Sequence, residues 1–95
     1  MKKYPIEPGS VVKSTAGRDQ GRLFIVTERI DEDFVYVANG KLRTMEHLKK
    51  KRAKHLKPTG TIVAAFCEKR RQGIPVEDHE IRSWLKEEEE KLVQV

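Results

Sequence analysis

At 95 residues and 11.0 kDa, with 37% of its residues apolar and 37% charged, the chain can bury only a small core. Twenty lysines and arginines against 15 aspartates and glutamates give a net charge of +5 and a pI near 9.5. These figures argue against a multidomain enzyme and a deep cofactor pocket, and suit a compact binding module for an acidic partner.

The chain opens on Met1-Lys2-Lys3-Tyr4-Pro5, whose lysines are followed by no apolar stretch, so no secretory leader is expected. Residues 9–14 form a short apolar segment between Pro8-Gly9 and Thr15-Ala16-Gly17, a strand with turn signals at both ends. Residues 22–30 are rich in β-branched and aromatic types. Phe24, Val26 and Ile30 share one parity and Leu23 and Ile25 the other, the pattern of a central strand covered on both faces. Asp31-Glu32-Asp33 is a polar turn, and residues 34–38 make the third strand. Asn39-Gly40 then suits a type I′ hairpin turn, because both central residues of that turn need φ > 0. A fourth strand is expected over residues 41–45 and a short fifth over 54–58; residues 46–52 read equally as a helical turn or a basic loop.

Five short strands in about sixty residues suggest a mainly β domain, a small, strongly bent antiparallel barrel whose closure hides its edges. After Pro58 the pattern changes. Thr61 is expected to cap a helix over residues 62–72 that stops at Gly73. Asp78 reads as the N-cap of a second helix carrying an Ile81, Trp84, Leu85 stripe, with Glu80 at its positive end. The expected organisation is therefore a barrel over residues 1–60 and a two-helix C-terminal extension over 61–95. The helices are too short to hold together alone and must pack on the barrel or on a partner.

Charge is unevenly distributed. Residues 1–60 hold 14 basic and 7 acidic residues, whereas residues 61–95 hold 6 and 8. Lys41, Arg43, Lys49, Lys50, Lys51, Arg52, Lys54 and Lys57 fall in one stretch with Glu46 as the only acid. Such a field attracts polyanions. The first two strands are joined by Thr15-Ala16-Gly17-Arg18-Asp19-Gln20-Gly21-Arg22, in which two glycines bracket charged side chains. A tight loop of this kind can offer Arg18, Arg22 and backbone N–H groups to phosphates. From composition alone a plain hairpin turn is the simpler reading.

The stretch from Gly9 to Val26 resembles the KOW motif of ribosomal and transcription-associated proteins. The likeness is greatest to large-subunit ribosomal proteins of archaea and eukaryotes and to small bacterial RNA-binding relatives. It rests on Gly9-Ser10-Val11-Val12-Lys13-Ser14, then Ala16-Gly17-Arg18-Asp19-Gln20-Gly21-Arg22, then Leu23-Phe24-Ile25-Val26, with Gly21 at the defining glycine. It continues more loosely through residues 33–42, ends near Leu56 and is lost after Pro58. The resemblance implies an SH3-like barrel that binds RNA, usually ribosomal RNA, with the loop between the first two strands at the contact. Arg18 and Arg22, and more weakly Lys13, would then touch RNA, while Gly17 and Gly21 shape the loop.

Other features have plainer explanations. His47, His55, His79 and Cys67 lack metal-ligand spacing, no base is placed beside Cys67, and no catalytic constellation is present, so neither an enzyme nor a cofactor is expected. Cys67, alone, fits a reducing, cytoplasmic setting, and no run is long enough to span a bilayer. Glu87–Glu90 reads as a solvated helix face, and Trp84 as core. Tyr36 suits either a base-stacking position or the barrel interior or rim. The expected function is a non-catalytic protein that docks on structured RNA, ribosomal RNA foremost, through the first loop and the basic stretch (Lys41, Arg43, Lys49, Lys50, Lys51, Arg52, Lys54). The alternative is a protein-interaction adaptor that docks through Trp84, Leu85 and Leu92 on the helical stripe. The opposed charges also raise an autoinhibitory contact between Glu87–Glu90 and Lys49–Lys54.

Overall fold

The computed structural model describes residues 6–93; the five N-terminal residues considered above for a leader lie outside them. Five strands, β1 (Ser10–Ser14), β2 (Leu23–Arg29), β3 (Phe34–Ala38), β4 (Lys49–Arg52) and β5 (Leu56–Ile62), precede two helices, α1 (Ala64–Gln72) and α2 (Asp78–Val93). All the pairings are antiparallel, and the strand order is β4-β3-β2-β1-β5. The two outermost strands are nevertheless joined by a single 3₁₀ turn, Ala53–His55. A connection that short forces the sheet to curl until its edges approach. The turn is fastened to both halves of the sheet. The Thr15 N–H and hydroxyl both donate to the His55 carbonyl, at 2.9 and 3.0 Å, and the Ala53 N–H donates to the Asp33 carbonyl at 2.7 Å. The result is the mainly β, SH3-like arrangement that the sequence suggests, followed by two helices.

Period-two alternation in β1 and β2 splits the apolar residues between two cores. Val12, Phe24, Val26, Val35, Val37 and Leu56 fill the inside of the curl, with Ile6 packed against them. Val11, Leu23, Ile25 and Ala38 point outward and are roofed by Phe66 of α1 and by Ile81 and Leu85 of α2. Trp84 meets Phe66 edge-on, with ring centroids 6.4 Å apart. Each fully buried side chain of this size contributes roughly 1.5–3 kcal/mol, so the helical roof supplies a large share of a small domain's stability. In β2 the register shifts between Val26 and Glu28, and the buried Thr27 hydroxyl donates to the Tyr36 carbonyl at 3.2 Å. The shift breaks the parity on which Ile30 was read as a core residue, and Ile30 lies exposed just past the strand.

Several expected elements differ from the structure, among them the fifth strand, which runs over Leu56–Ile62 rather than 54–58 because residues 53–55 form the 3₁₀ turn. Residues 41–45 are not a strand. No non-glycine residue among those described has positive φ, so Asn39 cannot occupy a type I′ turn. Its side-chain oxygen instead accepts the N–H groups of Lys41 and Arg43, each at 3.0 Å, and folds the segment into a closed loop. The fourth strand is therefore Lys49–Arg52, a stretch that had read as helix or loop. Thr61 does not cap α1. It lies in β5 and donates its hydroxyl to Glu88 of α2 at 3.0 Å, while α1 begins at Ala64 after an uncapped Val63. Asp78 sits inside the first turn of α2, where its carboxylate accepts the Met45 N–H at 2.8 Å. The capping contact is made by Glu80, which reaches back to the Glu77 N–H at 3.1 Å.

Candidate nucleic-acid interface

The β1–β2 loop is compact and internally bonded. The Ser14 N–H donates to the Arg22 carbonyl and the Gly21 N–H to the Ser14 carbonyl, at 2.9 and 2.8 Å. A 3₁₀ turn, Gly17–Asp19, fills the bend, and Gly17 and Gly21 hold φ of 75° and 88°. Only glycine takes such angles without strain, so these two residues set the loop's shape. Arg18 and Arg22 both project to solvent.

Asp19 points the other way, into the mouth of the barrel. Its carboxylate accepts a hydrogen bond from Lys49 Nζ and lies 3.8 Å from Lys51 Nζ. The hydrogen bond from Lys49 holds the Asp19 carboxyl below the usual aspartate range, with further help from the nearby lysine charges. Lys51 is buried and donates to Ser14 Oγ at 2.8 Å. Its burial pushes the ammonium pKa down, partly offset by Asp19. The strand period explains the division of labour. Lys49 and Lys51 lie opposite Val37 and Val35, on the inward face of β4, so they brace the loop. These two residues, read from the sequence as RNA contacts, are occupied inside the protein.

Lys50 and Arg52 take the outward face, opposite Tyr36 and Phe34. Lys50 Nζ lies 4.5 Å and the Arg52 guanidinium 4.9 Å from the Phe34 ring centroid, a cation–π arrangement that orders both long side chains. Phe34 and Tyr36 are half-buried on that outer surface, which puts Tyr36 outside the barrel rather than within it. Lys13 is exposed in β1 directly opposite Lys57 of β5, and Lys54 is exposed on the 3₁₀ turn. Like charges facing each other across a ladder are unfavourable unless an anion lies between them. Lys41 is exposed, whereas Arg43 is half-buried in the loop that follows β3.

The loop and the basic strand thus meet, joined through Asp19. The sequence reading left the basic residues of α2 out of the candidate contacts. Arg82 and Lys86, one turn apart, share a flank of that helix, and Arg82 donates to the Gly40 carbonyl at 2.6 Å. Their i, i+4 spacing was the available signal, hidden beside the acidic run. That run does not face the basic strand through its buried member: Glu88 turns in to Thr61, and its ion pair is with Lys91. In the docking stripe, Leu85 is buried, Trp84 is half-buried, and only Leu92 is largely exposed. Among the described residues no three His, Cys, Asp or Glu side chains converge where a metal would sit, and no helix is long and apolar enough to cross a membrane.

The chain is similar to a ribosomal protein. It is 43% identical over 54 residues to the large ribosomal subunit protein eL14 of Desulfurococcus amylolyticus. The shared stretch is 57% of this chain and 56% of the relative, so the chain spans little more than half the length of the curated relative it matches. No family model matches the chain.

Proposed function

We propose that this protein is a non-catalytic RNA-binding protein of the KOW type that docks on structured RNA, with ribosomal RNA of the large subunit as its target in the cytoplasm. The observation that carries the reading is the Asp19 brace. Lys49 and Lys51 clamp the β1–β2 loop from within, so that Arg18 and Arg22 are presented on a fixed bend beside the outward pair Lys50 and Arg52. Ordering these side chains before binding reduces the entropy lost on contact. The similarity to eL14 supports the choice of ribosomal RNA. The contact set proposed is Lys13, Arg18, Arg22, Lys50, Arg52 and Lys54, with Lys41 at the margin. Lys49, Lys51, Gly17 and Gly21 act through the loop's shape. Lysines and arginines in this number suit phosphate and shape recognition rather than the reading of base edges.

The test is a titration of labelled large-subunit ribosomal RNA over a salt series. Affinity should fall with a slope of roughly 0.7–0.9 in log K per log salt for each phosphate contact. Absence of binding at low salt would refute the reading. Recovery of a protein partner that survives nuclease treatment, with no RNA bound, would favour an adaptor instead.

A further inference from the structure

One cleft, of about 750 Å³, lies between the β1–β2 loop, the closed loop after β3 and helix α2. Four cationic side chains from three elements line it: Arg22, Lys41, Arg82 and Lys86. Glu89 is the only acid on its wall, and the buried Leu85 supplies an apolar part of the lining. None of these five charged residues takes part in an ion pair among the described residues. Two of the walls are fixed relative to one another. Arg82 bonds the Gly40 carbonyl at 2.6 Å, Asp78 holds the Met45 N–H at 2.8 Å, and a Cβ on Gly40 would lie 2.5 Å from the Asp78 carbonyl oxygen. The loop after β3 and the start of α2 therefore form one rigid rim.

Four cations converging on one concave surface repel each other unless an anion lies between them, and a concave wall of low dielectric focuses their field. An arginine that spends one N–H on Gly40 keeps further donors in its fork. We propose that this cleft is a second phosphodiester site, in which Arg82 and Lys86 of α2 grip an RNA strand from the side opposite Arg22 and Lys41. The proposal rests on the RNA-binding reading above and extends it. The second helix becomes part of the RNA surface, and Arg22 is shared between the two sites. Glu89 tempers the cleft's charge.

The experiment uses the full chain, a labelled RNA hairpin and fluorescence anisotropy over a salt series. Lys86→Gln should weaken binding by about threefold to tenfold and lower the salt slope by about 0.7–0.9. Glu89→Gln should tighten binding several-fold, a gain that misfolding cannot imitate. Wild-type binding with both variants indistinguishable from it would overturn the cleft proposal and leave the RNA reading standing. No binding by the wild type would sink the RNA reading, and the cleft proposal with it. Inorganic phosphate moving the α2 amide resonances at millimolar concentration, with the hairpin leaving them unmoved, would assign the cleft to a small anion and overturn the proposal.

Discussion

Asp19 shows how one side chain converts a charged sequence into a shaped surface. It is an acid in a loop otherwise suited to anions, and its carboxylate is consumed by Lys49 and Lys51. Because its folded pKa lies below the ordinary aspartate value of about 3.9, the pair contributes stability above that pH and loses it as pH falls through the folded value. Asp19→Asn should cost about 1 kcal/mol at pH 7, after allowance for solvent screening. Urea melts of wild type and variant should stay separated down to about pH 4 and draw together as the pH falls below it; a gap that did not narrow with acid would contradict the ion-pair explanation. A second residue-scale test contrasts two glycines with nearly equal φ, 75° at Gly17 and 76° at Gly40. A Cβ on Gly17 meets nothing within 4 Å, whereas one on Gly40 lies 2.5 Å from the Asp78 carbonyl oxygen and 2.8 Å from Arg82 Cγ. Gly17→Ala should cost only the left-handed angle, about 1–2 kcal/mol, while Gly40→Ala must also push α2 away. Equal denaturation midpoints for the two variants would refute this packing.

At the scale of the element, β4 is the most informative strand because its sequence, Lys-Lys-Lys-Arg, has no strand signature. Lysine is depleted in strands, so neither propensity nor hydrophobic period marks it. It is a strand because β3 offers a free edge and because a lysine-rich edge deters further pairing. By contrast β1, β2 and β3 are legible in the sequence, since their apolar alternation matches the two cores they separate. The hairpin expected at Asn39-Gly40 failed because the Asn39 side chain bonds the backbone ahead of it and closes a loop. A strand assigned to residues 41–45 also displaced the true pairing of Lys49–Arg52, which decides which lysines face solvent. That pairing makes a sharp prediction. Lys50→Ala with Arg52→Ala should reduce the salt slope of RNA binding by about 1.5 at a stability cost limited to the two exposed cation–π contacts, about 1 kcal/mol in all. Lys49→Ala should do the reverse, lowering the urea midpoint with little change in slope. The opposite pattern would mean that the inward and outward faces of β4 had been assigned the wrong way round.

For the molecule as a whole, the helices complete a core and carry one wall of the cleft at the same time. Their existence and the Ile81, Trp84, Leu85 stripe could be read from spacing, but their partner could not, because a stripe does not reveal what it covers. The cover is the outward face of β1 and β2, where Val11, Leu23, Ile25 and Ala38 would otherwise meet water. The basic part of the chain therefore buries its outer apolar face against the acidic part. Removing residues 64–95 should abolish cooperative unfolding, whereas an autoinhibitory contact between Glu87–Glu90 and Lys49–Lys54 would have the shortened chain bind RNA more tightly. Ile81→Ala separates the two roles of α2. Its side chain is fully buried between helix and sheet, so truncation should cost about 2–5 kcal/mol. At roughly 4–8 °C per kcal/mol for a domain of this size, Tm should fall by about 10 °C or more. Ile81 lies outside the charged lining, so RNA affinity measured well below the new Tm should match the wild type. Affinity falling in step with stability at temperatures where the variant is fully folded would show that the roof shapes the RNA surface rather than merely supporting it.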